Sequence, residues 1–426
     1  MNVTLSATLA ANEDIERRRR AGERVLHLAF GEAGLPVHPA LRERLAAASE
    51  HNGYGPVAGI TPLREAAAGY WDRRGLPTDP DLVVCGPGSK PLLYGLLLAI
   101  GGDVVLPMPS WVSYAAQADL VGARPLPVPA PPGEGGVPDP DRVASAVLHA
   151  RARGRDVRSI LLTLPDNPTG TLASPATVTR LARIARDLGL TVISDEIYRD
   201  LLHDPATGFV SPADVAPERT VITSGLSKSL ALGGWRIGVA RLPSAELRDR
   251  LLAVASEIWS SPAAPVQRAA AYAYTEPAEI VERIDLSRRL HGAVARAVHD
   301  RLVRAGVRTE APLGGFYLYP DFTGHDFTTS AELAAALLDR HGVGVLAGHV
   351  FGDDVRALRV RVATSLLYGE TTERRLAALH AADPLELPWI SSALDHLSEA
   401  LTGLAGGRPA PGGRRVSGAV PSPVTG

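Results

Sequence analysis

Residues 157–196 read VRSILLTLPDNPTGTLASPATVTRLARIARDLGLTVISDE. Two short aliphatic, β-branched runs, 157–165 and 191–196, flank a stretch with apolar residues at helical spacing. Strand, helix and strand in that order form the unit that joins parallel neighbours in a sheet. Outward from this unit, DLVVCG (81–86), DVVLPMP (103–109), RPLPVP (124–129) and RTVITS (219–224) read as further strands. PGSKPLLYGLLLAI (87–100) and SWVSYAAQADLVGA (110–123) read as loop-plus-helix segments between them. The alternation implies an α/β domain with a mostly parallel sheet covered on both faces. In such sheets, ligands bind just beyond the carboxyl ends of the strands.

From about residue 256 to 305 the pattern is helical. GGFYLYPDF (314–322), a helix in SAELAAALLDRHG (330–342), VGVLAG (343–348) and ALRVRVATS (357–365) then suggest a smaller α+β domain. The expected division is an N-terminal segment 1–45 belonging to the small domain, a large domain 46–284 and a small domain 285–404. A Gly/Pro/Ser-rich tail, 405–426, has little to bury and is expected to be disordered.

The 426 residues are 45% hydrophobic and 21% charged, with a formal net charge of −2. That balance gives no reason to expect nucleic acid or an anionic membrane as partner. The single cysteine excludes an internal disulfide and a cysteine-rich metal site, so no metal is expected. No compact apolar stretch follows a basic start, and the longest apolar runs are about half a membrane span. A cytoplasmic setting is expected. Arg17–Arg20 is read as the solvated face of a short N-terminal helix.

Polar groups fall at the predicted strand ends. Asn167 sits in the turn LPDNPTG, Asp195 closes a strand with Tyr198 three residues on, and Lys228 follows TVITSG. Gly88, Ser89 and Lys90 form a Gly-containing turn before a helix. Each alone has a plainer reading as a turn, a cap or an exposed lysine. The conjunction, each behind its own strand, is specific.

The set NPTG, SDEIY, SK…GWRIG and RVRVATS resembles the class I/II aminotransferases, the fold-type-I enzymes that use pyridoxal 5′-phosphate. The similarity runs from HLAFGEAGLPVHPAL (27–41) to ALRVRVATS (357–365), about four fifths of the chain. It implies a fold-type-I transferase that moves an amino group between an L-amino acid and a 2-oxo acid by a ping-pong mechanism. Lys228 is then the buried Schiff-base lysine and proton shuttle, and Asp195 the carboxylate on the ring nitrogen. Asn167 and Tyr198 match donors to the phenolic oxygen. Arg236 matches the phosphate arginine, whose fork suits phosphate oxygens. The turn Gly88, Ser89 and Lys90 adds helix-terminal amides. Trp111 matches the ring that stacks on the cofactor.

Arg359 matches the arginine that grips the substrate carboxylate, with Arg361 two residues on as its rival. Gly31 matches a loop glycine over the substrate. Tyr54 matches a tyrosine reaching the phosphate of the other subunit, which implies a homodimer with shared sites. Gly225 stands where many relatives carry serine, so Ser224 or Ser227 is expected to supply the phosphate contact. Lys90 stands where some bacterial aspartate aminotransferases bind a distal carboxylate. Phe316 and Tyr317 are read either as pocket lining or as packing of the small domain.

One other reading stays open, and a second is disfavoured. The same cofactor supports lyase, decarboxylase, racemase or oxidase chemistry, because the pocket chooses which bond breaks. A cofactor-sensing regulator needs a basic domain in front, for which the segment before residue 27 is too short.

Overall fold

The structure is a computed structural model describing residues 5–406. A first helix, Ala7–Arg20, precedes β1 (Leu26–His27), and the helices Pro39–Ala47 and Thr61–Asp72 follow. The large sheet then takes β2 (Val83–Gly86), β3 (Asp103–Met108), β4 (Pro125–Pro129), β5 (Val157–Thr163), β6 (Thr191–Asp195), β7 (Thr220–Gly225) and β8 (Gly238–Arg241). Their order is β2-β8-β7-β6-β5-β3-β4. Only β8 runs against its neighbours. β8 is absent from the sequence-based strands, because IGVAR is short and carries a glycine.

Local chemistry fixes the unit read first. Ser174 caps the helix Pro175–Asp187, its Oγ accepting from the Thr177 amide at 3.2 Å, and Pro175 opens the first turn. The helix buries Val178, Leu181, Ala182 and Ala185, one stripe at helical spacing. Along β5 the side chains divide: Ile160 and Leu162 join the core under this helix, and Leu161 joins the core under the helix Ser89–Ile100. Each such aliphatic side chain contributes about 1.5–3 kcal/mol when fully buried. Both faces are therefore apolar, and the sheet presents its chemistry only at its ends.

The helices Ala264–Tyr274 and Ala278–Arg304 lead to β9 (Tyr317–Leu318), β10 (Val343–Gly344), β11 (Leu346–Ala347) and β12 (Val360–Ala363). β9, β12 and β11 form an antiparallel sheet, and β10 pairs with β1 in parallel. One core joins Leu26 and Leu28 to Val294 and Val298, to Val360 and Val362, and to Leu394 and Leu397 of the last helix, Pro388–Gly406. The tail expected from residue 405 lies outside the described residues, apart from its first two, which close that helix. Of the N-terminal arginine run, Arg17 is exposed, while Arg18 and Arg19 reach Asp339 of the helix Ser330–His341 and Glu370. No described helix is long and apolar enough to cross a membrane.

Candidate active site

A cavity of about 480 Å³ opens at the carboxyl ends of the parallel strands. Asp195 ends β6, Asn167 follows β5, Lys228 stands in the one-turn helix Leu226–Ser229 after β7, and Ser89 opens the helix after β2. All four line the cavity, together with Lys90, Trp111, Tyr198, Ser227 and Arg236. Arg236 arrives from the opposite direction, just ahead of the reversed strand β8, so its side chain meets the same edge.

Asp195 is 3% exposed. Its Oδ2 accepts from the Tyr114 hydroxyl at 3.0 Å and its Oδ1 from the Thr223 hydroxyl at 3.3 Å. Tyr114 in turn accepts from Thr163 at 2.7 Å. Burial pushes the carboxyl up to about 6, against those bonds, the Ile197 amide and the charge of Lys228. A buried carboxylate held only by neutral donors favours a cation placed against it.

Lys228 is half-buried rather than fully buried, because its amine points into the cavity rather than into the core. Its Nζ donates to the Gly31 carbonyl at 2.6 Å. Tyr198 and Tyr317 pair hydroxyl to hydroxyl at 3.0 Å, and Tyr317 also reaches the Gly31 carbonyl at 3.4 Å. A Cβ on Gly31 would collide with the Tyr317 hydroxyl, so this close approach requires glycine. Tyr317 lines the cavity, whereas Phe316 is buried beside it in the core.

At the other end, Gly88 caps the helix Ser89–Ile100 with φ +96°. A Cβ there would strike the Arg236 guanidinium, and a Cβ on Gly238 would lie 2.7 Å from the Ser89 nitrogen. The two glycines let β8, the helix start and Arg236 converge. Arg236 itself holds a left-handed backbone (φ +54°), a strained state for a side-chain-bearing residue. Four cationic side chains, Lys90, Lys228, Arg236 and Arg361, face this cavity against two carboxylates, Asp195 and Glu32. Burial, then Arg236 and Lys228, lowers the pKa of Lys90, whose ammonium lies 5.0 Å from the Trp111 ring centre.

Two sequence-based assignments are corrected. Arg359 does not line the cavity: it lies one residue ahead of β12 and pairs with Asp353 at 3.3 Å and Asp321 at 3.6 Å. Arg361, inside β12 and 1% exposed, takes the cavity wall instead. It donates to the Ala29 carbonyl at 2.5 Å and to Asn167 Oδ1 at 3.3 Å, and its Nε has no partner. Matching the Ala-Thr-Ser that follows selected Arg359, but two aspartates draw that side chain away. Ser224 is the second correction. Residues alternate along β7, and Thr223 faces Asp195, so Ser224 faces the opposite side beside Tyr274. Ser227 is the serine on the cavity.

Tyr54 is 96% exposed and lies outside this chain's cavity. The sequence reading missed Ser6, Thr8 and Leu9 at the first helix, Phe30 and Glu32 beside Gly31, and Tyr114 and Thr163 around Asp195. Only Tyr114 had a local signal, standing one helical turn after Trp111.

A family model described as aminotransferase class I and II matches residues 24–370. A probable aspartate/prephenate aminotransferase of Thermus aquaticus is 33% identical over 81% of this chain and 89% of its own. An aspartate aminotransferase of Geobacillus stearothermophilus is 33% identical over 88% of this chain and 96% of its own. Among solved structures, the aspartate aminotransferase of Thermus thermophilus with maleate superposes with a TM-score of 0.80. It is 29% identical and covers 93% of this chain and 97% of its own.

Proposed function

As the chain belongs to the class I and II aminotransferases, we propose a substrate class and a division of labour for its cavity. The enzyme is a pyridoxal-phosphate-dependent aminotransferase of fold type I, moving an amino group between an L-amino acid and a 2-oxo acid by a ping-pong mechanism. The residues fit that cofactor. Asp195 is a buried carboxylate without a protein cation bonded to it, and Gly88 with Gly238 leaves a cationic cradle at a helix start. When bound, the cofactor supplies an aldehyde for the amine and a ring that accepts the electron pair left on the substrate Cα.

In our reading, Asp195 holds the proton on the ring nitrogen, and Thr223, Tyr114 and Thr163 keep its carboxylate oriented. Ser227, Arg236 and the amides of Ser89 and Lys90 bind phosphate. Trp111 covers one ring face. Asn167 and Tyr198 hydrogen-bond the phenolic oxygen. Lys228 Nζ carries the proton to and from the substrate Cα. Arg361 binds the substrate α-carboxylate. Support for that last role is a desolvated guanidinium with two neutral acceptors and an orphaned Nε. We further propose a homodimer in which the exposed Tyr54 reaches the partner's phosphate site, acting in the cytoplasm.

The substrate we propose is an acidic L-amino acid, with a dicarboxylic 2-oxo acid as acceptor. The observation that carries it is the cavity's surplus of cations over carboxylates, with Lys90 available for a second carboxylate. The relatives named for aspartate agree with it. The test is kcat/KM for a panel of L-amino acids with 2-oxoglutarate. Aspartate or glutamate should exceed alanine and phenylalanine by about 100-fold, the discrimination of a charge-assisted pair. Lys90→Ala should reduce that preference about tenfold and leave alanine unaffected. A neutral or aromatic amino acid heading the panel would sink the reading.

A further inference from the structure

A second cavity, of about 690 Å³, lies behind the catalytic one, and no step of the reaction uses it. It is walled by the first helix, β1 and the loop after it, the turn Ser365–Tyr368 and the helices Thr372–His380 and Pro388–Gly406. Four arginines enter it. Arg19 is matched by Glu16 and Glu370. Arg24, Arg374 and Arg375 have no carboxylate within ion-pair distance among the described residues, and Glu32 is the remaining acid on the wall. Their contacts are neutral ones. Arg24 donates to the Ser392 hydroxyl at 3.3 Å, Arg375 to the Gly369 carbonyl at 2.8 Å, and the Arg374 guanidinium lies 5.3 Å from the Trp389 ring centre.

The turn that presents them is specifically shaped. Gly369 has φ +129°, and a Cβ there would lie 2.5 Å from Arg374 Cβ and 3.3 Å from Trp389 Nε1. Only glycine lets the arginine and the tryptophan close around that turn. The two histidines on the wall are occupied: His27 bonds Asn12 and His396 bonds the His341 carbonyl. The wall therefore offers guanidinium forks without acids to fill them, a donor set suited to carboxylate or phosphate oxygens.

Phe30 and Glu32 line both cavities. Between them stands Gly31, whose carbonyl holds the Lys228 amine. The Glu32 carbonyl is in turn held by the hydroxyl of Ser365, the first residue of the turn on the second cavity. We propose that this second cavity is an effector site for a small organic anion bearing carboxylate or phosphate groups, seated on Arg24, Arg374 and Arg375. Its occupancy is felt at Lys228 through the segment Phe30–Glu32.

The test is calorimetric titration of the cofactor-loaded enzyme at low salt, with citrate and inorganic pyrophosphate as separate probes. The two arms distinguish a carboxylate from a phosphate ligand. At least one probe should bind, and R24Q/R374Q should weaken it by tenfold or more. Both arginines are exposed, so this variant should keep its melting temperature and its kcat/KM without anion. The bound anion should change KM for the amino acid at least twofold in the native enzyme and not in R24Q/R374Q. Absence of binding by both probes would overturn the proposal. So would binding that survives R24Q/R374Q but is lost in R361K, because the anion would then occupy the catalytic cavity. Binding with an unchanged KM would overturn the coupling.

Discussion

Arg359 and Arg361 stand two residues apart on one chain segment, yet their surroundings give them different work. Two aspartates satisfy Arg359 at the surface, while Arg361 is buried with only neutral acceptors. Burial lowers the pKa of Arg361, with the tyrosines around it opposing. Arg361→Met should raise KM for the amino acid by about 100-fold or more, the loss of a bidentate charge-assisted pair. The same change should leave the cofactor-free protein as stable or more so, since an unpaired buried cation is removed. Arg359→Gln should alter KM by less than about threefold, the scale of a half-exposed ion pair. Steady-state kinetics on the two variants decides between them.

Asp195 gives a pH signature at the same scale. Its folded-state pKa, about 6, lies above the ordinary 3.8. An acid raised in this way binds its proton more tightly when folded. Its contribution to stability is therefore complete below pH ~4 and is lost as pH rises from ~4 to ~6. Cofactor-stripped Asp195→Asn should thus melt above the stripped native protein at pH 8 and lose that advantage near pH 4. Calorimetric melting at the two pH values reads this directly. The loaded variant should nonetheless lose activity by about 1000-fold, the scale of removing a fixed charge from a desolvated site.

At the scale of elements, the proposed phosphate site depends on how closely β8 approaches the helix Ser89–Ile100. Gly88→Ala forces a side chain into a left-handed backbone and against Arg236. About 1–3 kcal/mol of strain follows, and the guanidinium must shift from its place at the helix start. The expected result is a melting temperature lower by several degrees together with at least tenfold weaker cofactor binding, read by titration into stripped protein. A core change such as Leu161→Ala should cost more stability, about 2–5 kcal/mol, while cofactor affinity in the folded fraction is kept. A Gly88→Ala protein that binds cofactor normally would count against the cradle.

At the scale of the whole molecule, the unresolved demand is Tyr54, an aromatic side chain almost wholly exposed on this chain. The homodimer with shared sites that we propose would account for it. Sedimentation at micromolar concentration should then give twice the mass of the 426-residue chain. Tyr54→Phe, which removes only a hydroxyl, should weaken cofactor retention about tenfold, the worth of one hydrogen bond to a charged group. An unchanged retention would leave Tyr54 without a place in the site.

The order of strands and helices was legible in sequence because burial on both faces makes each parallel strand a short apolar run, and helical spacing marks what lies between. The family followed from Asn167, Asp195, Lys228 and Arg236, since strand ends and turns carry local signatures that survive without tertiary contacts. Other features had no such mark. The short reversed strand β8 is a strand only because β2 and β7 pair with it. The choice between Arg359 and Arg361 depended on Asp321 and Asp353, and the choice between Ser224 and Ser227 on which side of β7 faces Asp195. Phe30 and Thr8 share a cavity with Asp195 and Lys228, and Arg24 shares one with Arg374 and Arg375, although these partners lie far apart along the chain. Sequence determined what each segment is; only packing decided which side chains share a cavity, because that depends on partners no local window contains.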